Sequence, residues 1–157
     1  MATVDINSSG SPQAVRLLET ASYTNLVPGT SLVVSKAVPV PSWAETAAFA
    51  VTITTLTGTS PLMDFVLQGS FDLDTTHVWN LGDWDGITQL TGTGPYVVAI
   101  DVGPAVTADD TGSATASCRY GVLASLPPWI VYKYTLDATT NDEDYAFDIR
   151  CKFAGRR

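Results

Sequence analysis

Tyr145-Ala146-Phe147-Asp148-Ile149-Arg150-Cys151-Lys152-Phe153 is the stretch whose reading decides the fold. Every odd position is apolar, and positions 148, 150 and 152 are charged. Successive side chains of a strand point to opposite faces, so this pattern predicts a β-strand with one dry and one wet face. Upstream, Trp129–Leu136 repeats the pattern with Ile130, Tyr132, Tyr134 and Leu136 in phase. Between the two lies Asp137–Asp144, which carries four acids and no apolar anchor except Ala138, and reads as a loop.

Further strands follow on moving toward the N-terminus. Tyr96–Val102 places Tyr96, Val98, Ile100 and Val102 on one face, after the turn residues Gly92-Thr93-Gly94-Pro95. Ala47–Leu56 places Phe49, Val51 and Ile53 together, and Met63, Phe65 and Leu67 alternate with polar residues beyond the turn Thr57-Gly58-Thr59-Ser60-Pro61. Two such runs around a short turn predict a hairpin. Shorter pieces, His77–Asn80 and Ile87–Leu90, flank the loop Leu81–Gly86, and residues 103–113 read as a long polar loop. Thr30–Ala37 predicts another strand, after which Val38-Pro39-Val40-Pro41 holds two prolines that cannot donate to a ladder, so this run reads as an edge or a crossover. Residues 1–30, rich in Ser, Gly, Pro and Asn, with one apolar patch at Ala14–Leu18 and a Pro28-Gly29 turn, read as an extended arm with a short strand. The expected architecture is all-β: an antiparallel two-sheet β-sandwich of jelly-roll type over residues 31–157, with the N-terminal arm over 1–30.

Composition narrows the chemistry. The chain has 157 residues, enough for one domain with a real core, and 45% of them are hydrophobic. Only 15% are charged, below the usual quarter or so, which fits either a surface partly covered by partners or simply a β protein rich in Thr and Ser. Net charge is −8, and nine carboxylates but no Lys or Arg fall between Lys36 and Arg119. An acidic body repels phosphate, which argues against nucleic-acid binding. Four of the eight cations, Arg150, Lys152, Arg156 and Arg157, lie in the last eight residues. They read either as a solvated tail or as a basic terminus that docks on an acidic neighbour such as a second copy. The start of the chain lacks the basic and apolar regions of a signal peptide, and no apolar run reaches the length of a membrane span. Two cysteines make no disulfide framework; Cys118 and Cys151 read as buried free thiols, with a single bridge as the alternative.

No catalytic centre assembles from these residues. The single histidine, His77, removes most triad and zinc geometries and reads as a solvent-facing loop residue. Asp72/Asp74 and Asp83/Asp85 have the alternation that can ligate Ca²⁺, or the paired carboxylates of a glycosidase, but Asp is also a common turn former. No glycine cluster opens a helix for a phosphate, and no cofactor is expected. Trp43, Trp79, Trp84 and Trp129 fit either core and subunit-interface roles or a sugar-stacking platform, for which Trp84, between two acids, is the best placed.

The run Leu56-Thr57-Gly58-Thr59-Ser60-Pro61, then Asp64-Phe65-Val66-Leu67-Gln68-Gly69-Ser70 with Trp79 and Leu81, resembles small structural proteins of tailed bacteriophages. Leu126-Pro127-Pro128-Trp129 with Tyr132, Tyr134-Thr135-Leu136 and the closing Tyr145–Phe153 is similar to the end of that pattern. The resemblance covers roughly residues 47–153; Asp109-Asp110 and Asn141–Asp144 depart from it, and the first forty-odd residues do not share it. It implies a non-enzymatic jelly-roll protein of the virion, assembled in the host cytoplasm. The commonest role is a capsid decoration (cement) protein that binds the major capsid protein and copies of itself, as trimers at local threefold positions. A head–tail or tail component is the alternative within that group, and a carbohydrate-binding module is the alternative outside it. Under the decoration reading the expected contact residues are Val38, Pro39, Val40, Pro41, Trp43, Trp84, Arg156 and Arg157, together with the arm.

Overall fold

The computed structural model describes residues 15–27, 29, 31–73, 77–81, 86–102, 118–123, 125–138 and 142–155, with backbone alone at 86–89 and 118–122. Among them there are ten strands and no helix. These are β1 (Arg16–Tyr23), β2 (Ser31–Pro39), β3 (Thr46–Thr57), β4 (Leu62–Ser70), β5 (Val78–Asn80), β6 (Gly86–Leu90), β7 (Gly94–Val102), β8 (Cys118–Leu123), β9 (Trp129–Asp137) and β10 (Asp144–Ala154). They form two sheets that pack as a β-sandwich. The first runs β1-β10-β3-β7-β8, and the second runs β2-β9-β4-β5, with β6 also paired to β4. β5 lies along Gln68–Ser70 and β6 along Met63–Val66, so together they act as one interrupted edge strand. Every pairing is antiparallel except β7 with β8, which runs parallel.

Alternation puts the apolar residues between the sheets. Phe49, Val51 and Ile53 of β3 and Phe147, Ile149 and Cys151 of β10 are buried on the first sheet. Met63, Phe65 and Leu67 of β4 and Ile130, Tyr132, Tyr134 and Leu136 of β9 are buried on the second. The two faces meet directly: the rings of Tyr134 and Phe147 cross edge-to-face at 5.0 Å between centroids. Each such side chain removed from water stabilises the fold by roughly 1.5–3 kcal/mol. The opening nonapeptide is the inner part of β10, which pairs with β3 from Asp144 to Ala154.

Four expectations need revision. β3 and β4 do not form a hairpin: β3 pairs with β10 and β7, whereas β4 pairs with β9, β5 and β6. The Thr57–Pro61 turn carries the chain from one sheet to the other, so the two apolar faces oppose each other across the core. Interactions with the 142–145 segment hold this corner. Thr59 Oγ1 donates to Asp142 Oδ2 at 2.9 Å, and the Leu62 N–H donates to the Tyr145 hydroxyl at 2.9 Å. Second, the loop before β10 is held by more than its one apolar anchor, because Glu143 is buried as well as Ala138. Third, the segment expected as an arm divides: residues 16–23 form the outer strand of the first sheet, beside β10, and residues 1–14 lie outside the described residues. Fourth, β8 had no counterpart in the strands expected from the sequence.

Candidate functional site

β1 and β2 are the edge strands on one side of the sandwich, and the gap between them holds the richest polar chemistry among the described residues. A β-bulge at Leu18 creates it. Leu17 pairs with Arg150 and Glu19 with Ile149, leaving Leu18 as the extra residue. A bulge re-aims the side chains that follow. Here it puts Glu19, Ala21 and Tyr23 in phase with the buried Ile149, Phe147 and Tyr145. A carboxylate therefore enters the rim of the core, with only 11% of its side chain exposed.

Glu19 is surrounded by donors. Tyr132 donates to Oε2 and Tyr134 to Oε1, both at 3.0 Å, and Lys36 Nζ lies 2.9 Å from Oε1. Tyr23 completes the chain of hydroxyls, its oxygen 2.8 Å from that of Tyr134. Burial, then the hydrogen bond and negative charge of Glu19, push the Tyr132 hydroxyl well above the usual tyrosine range. Burial does the same for Tyr134, followed by its bonds to Tyr23 and Glu19. Both stay protonated donors at neutral pH.

Outside this network the gap opens into a cleft of about 180 Å³. Leu18 lines one side, Val38 and Pro39 the other, and Tyr132 also lines it; Arg16 and Lys36 supply the charge. Arg16 is exposed and makes no side-chain hydrogen bond or ion pair among the described residues. It pairs in register with Cys151, whose thiol is free and buried. Burial pushes that thiol up to about 11, against a smaller opposing pull from the Arg16 charge. Cys151 is thus a neutral, unreactive core group at neutral pH.

The contact residues expected from the sequence fall in different places. Val38 is only 4% exposed and belongs to the core, because it shares the inward phase of β2 and pairs with Ile130. Pro39 is exposed and ends β2; Val40 and Trp43 are half-buried against the core, and Pro41 is half-buried too. The 40–45 segment is bound down by Val40 N–H to the Pro128 carbonyl and Glu45 N–H to the Ala154 carbonyl. Trp84, Arg156 and Arg157 lie outside the described residues, as do Asp74, Asp83, Asp85, Asp109 and Asp110. His77 is exposed. Among the described residues no group of three or more His, Cys, Asp or Glu is placed to hold a metal ion, and no helix is long and apolar enough to cross a membrane.

A second surface was not singled out in the sequence. Phe71 and Leu73, at the end of β4, are 81% and 67% exposed. The Phe71 ring lies 4.7 Å from that of Trp79 on β5. Gly69 makes room for the indole, since a Cβ there would come within 2.6 Å of it. The sequence signal was the bare run Phe71-Asp72-Leu73, apolar residues in a turn with no strand to bury them.

The signal for the Glu19 network was also present. Tyr132 and Tyr134 fall on the inward phase, and buried tyrosine hydroxyls need partners. What could not be read was the bulge that turns Glu19 toward them.

No protein-family model, no curated protein and no solved structure matches this chain.

Proposed function

We propose that this chain is a non-enzymatic structural protein of a tailed-phage virion, most closely a decoration protein that adheres to the major capsid protein and to copies of itself on the outside of the shell. One observation carries the reading. The strand order β1-β10-β3-β7 facing β2-β9-β4-β5 makes most successive connections pass from one sheet to the other. We infer a jelly roll from this wrapping, a plan that recurs in viral capsid domains. The resemblance over residues 47–153 supports the same reading, as do the exposed Phe71 and Leu73, which give a rigid sandwich an apolar contact point. The test is addition of purified protein to shells that lack it. Saturable binding with raised resistance of the shells to heat is the expected result; no binding to shells overturns the proposal.

A carbohydrate-binding module is the second reading, because lectin domains share the jelly-roll plan and the Phe71–Trp79 pair is an exposed aromatic surface. A glycan array separates the two readings. Sugar binding lost in Trp79→Ala or Trp84→Ala would favour the module over the shell protein.

A further inference from the structure

We propose that the cleft between β1 and β2 is a receptor for a carboxylate side chain, an Asp or Glu presented by a partner polypeptide, with Arg16 as the group that binds it. This deepens the adhesive reading above and rests on it.

Charge accounting within the cleft comes first. Lys36 is matched by Glu19 at 2.9 Å, and Glu19 is further matched by the hydroxyls of Tyr132 and Tyr134. Arg16 has no such counterpart among the described residues. The cleft therefore keeps one positive charge, on a chain whose net charge is −8. An acidic body keeps most anions away, so a local cation beside a concave surface selects a singly charged group over a polyanion.

Shape and chemistry agree on the class. The cleft measures about 180 Å³, while an engineered protein cavity of about 150 Å³ holds a benzene ring. Its lining is mixed, with aliphatic surface of Leu18 and Pro39 beside the polar groups of Arg16, Lys36 and Tyr132, which suits an acidic side chain, stem and charged head together, better than a bare inorganic anion. Guanidinium offers a planar fork that meets a carboxylate with two parallel hydrogen bonds, a geometry that lysine does not provide. Tyr132 is held in place by Glu19, so the inner end of the cleft is fixed before a ligand arrives. What binding has still to order is the exposed Arg16 side chain itself.

The test uses the full chain, isotope-labelled, at constant ionic strength. N-acetyl-glutamate methylamide and N-acetyl-glutamine methylamide are titrated while backbone amide resonances are followed. The glutamate compound is expected to shift residues 16–18 and 36–38 in a saturable way, and to bind about tenfold or more tightly than the glutamine compound, as a charge-assisted hydrogen bond implies. Arg16→Gln should erase that preference, Arg16→Lys should keep part of it, and Lys152→Gln, on the outer face of the first sheet, should keep all of it. Equal response to the two compounds overturns the proposal, as does an unchanged preference in Arg16→Gln. Inorganic phosphate binding as tightly as the glutamate compound overturns the carboxylate assignment. The shell assay separates this from the broader reading: shells bound equally by wild type and Arg16→Gln sink the cleft alone, whereas a working cleft on a protein that ignores shells sinks the virion reading alone.

Discussion

Replacing Glu19 with alanine takes the carboxylate from Tyr132, Tyr134 and Lys36 at the same time. Tyr134 keeps Tyr23 and Lys36 keeps solvent, but Tyr132 loses the one hydrogen bond that its hydroxyl makes among the described residues. A hydrogen bond to a charged group contributes about 1.5–3 kcal/mol, and a buried donor left without a partner adds its own penalty. Glu19→Ala is therefore expected to lower unfolding free energy by roughly 3 kcal/mol, and Glu19→Gln by less, in a urea titration. Lys36→Ala should cost under about 1 kcal/mol, because half of its side chain faces solvent and water screens the pair. The tyrosines also set an alkaline limit. In the unfolded chain they lose their protons near pH 10.0, whereas in the fold Tyr132, Tyr134 and Tyr145 hold them to higher pH. Above that point the unfolded state binds fewer protons than the native state, so stability falls as pH rises. Cys151 starts the decline earlier, between its ordinary 9.0 and about 11. The denaturation midpoint should be level up to about pH 9 and then drop, with Tyr132→Phe flattening the slope.

Gly58 shows how one position governs an element. Its φ of +125° is closed to most L side chains, and a Cβ there would meet the Asp142 carbonyl oxygen at 2.7 Å. Backbone on both sides leaves nothing free to move, so Gly58→Ala should destabilise by more than about 2 kcal/mol in the same titration. Gly69→Ala meets side chains first, the Trp79 ring and Leu81, so it should shift tryptophan fluorescence more than stability. The elements themselves were largely legible. Alternation at Phe49–Ile53, Ile130–Leu136 and Tyr145–Phe153 located β3, β9 and β10, while the prolines after Ala37 left edge and crossover both open, and β2 lies at an edge. Their partners were not legible, because period two tells which face is dry and is silent on which strand lies alongside. Thr57–Pro61 looked like a hairpin turn for that reason, since a crossing between sheets uses the same Gly and Pro chemistry. The cleft was hidden more deeply. It depends on the extra residue Leu18, and an inserted residue in Arg16–Tyr23 leaves no mark in the pattern that a loop would not also leave.

For the molecule as a whole, surface and core can be separated by experiment. Phe71→Ser with Leu73→Ser removes exposed apolar groups, so thermal stability should change by about 0.5 kcal/mol or less while shell binding weakens. A loss of both would mean that the 71–73 turn is part of the fold's support and not a contact point. The strand order has a consequence for synthesis. β9 sits between β2 and β4, and β10 sits between β1 and β3, yet these two are the last described strands to leave the ribosome. β3 can pair with β7, and β4 with β5 and β6, as soon as these are made. But β2 has no neighbour until β9 is complete at residue 137, and β1 none until β10 is complete at residue 154. The side of the sandwich that carries the Glu19 network is therefore the last to close during synthesis, since both of its edge strands wait for partners from the far end of the chain.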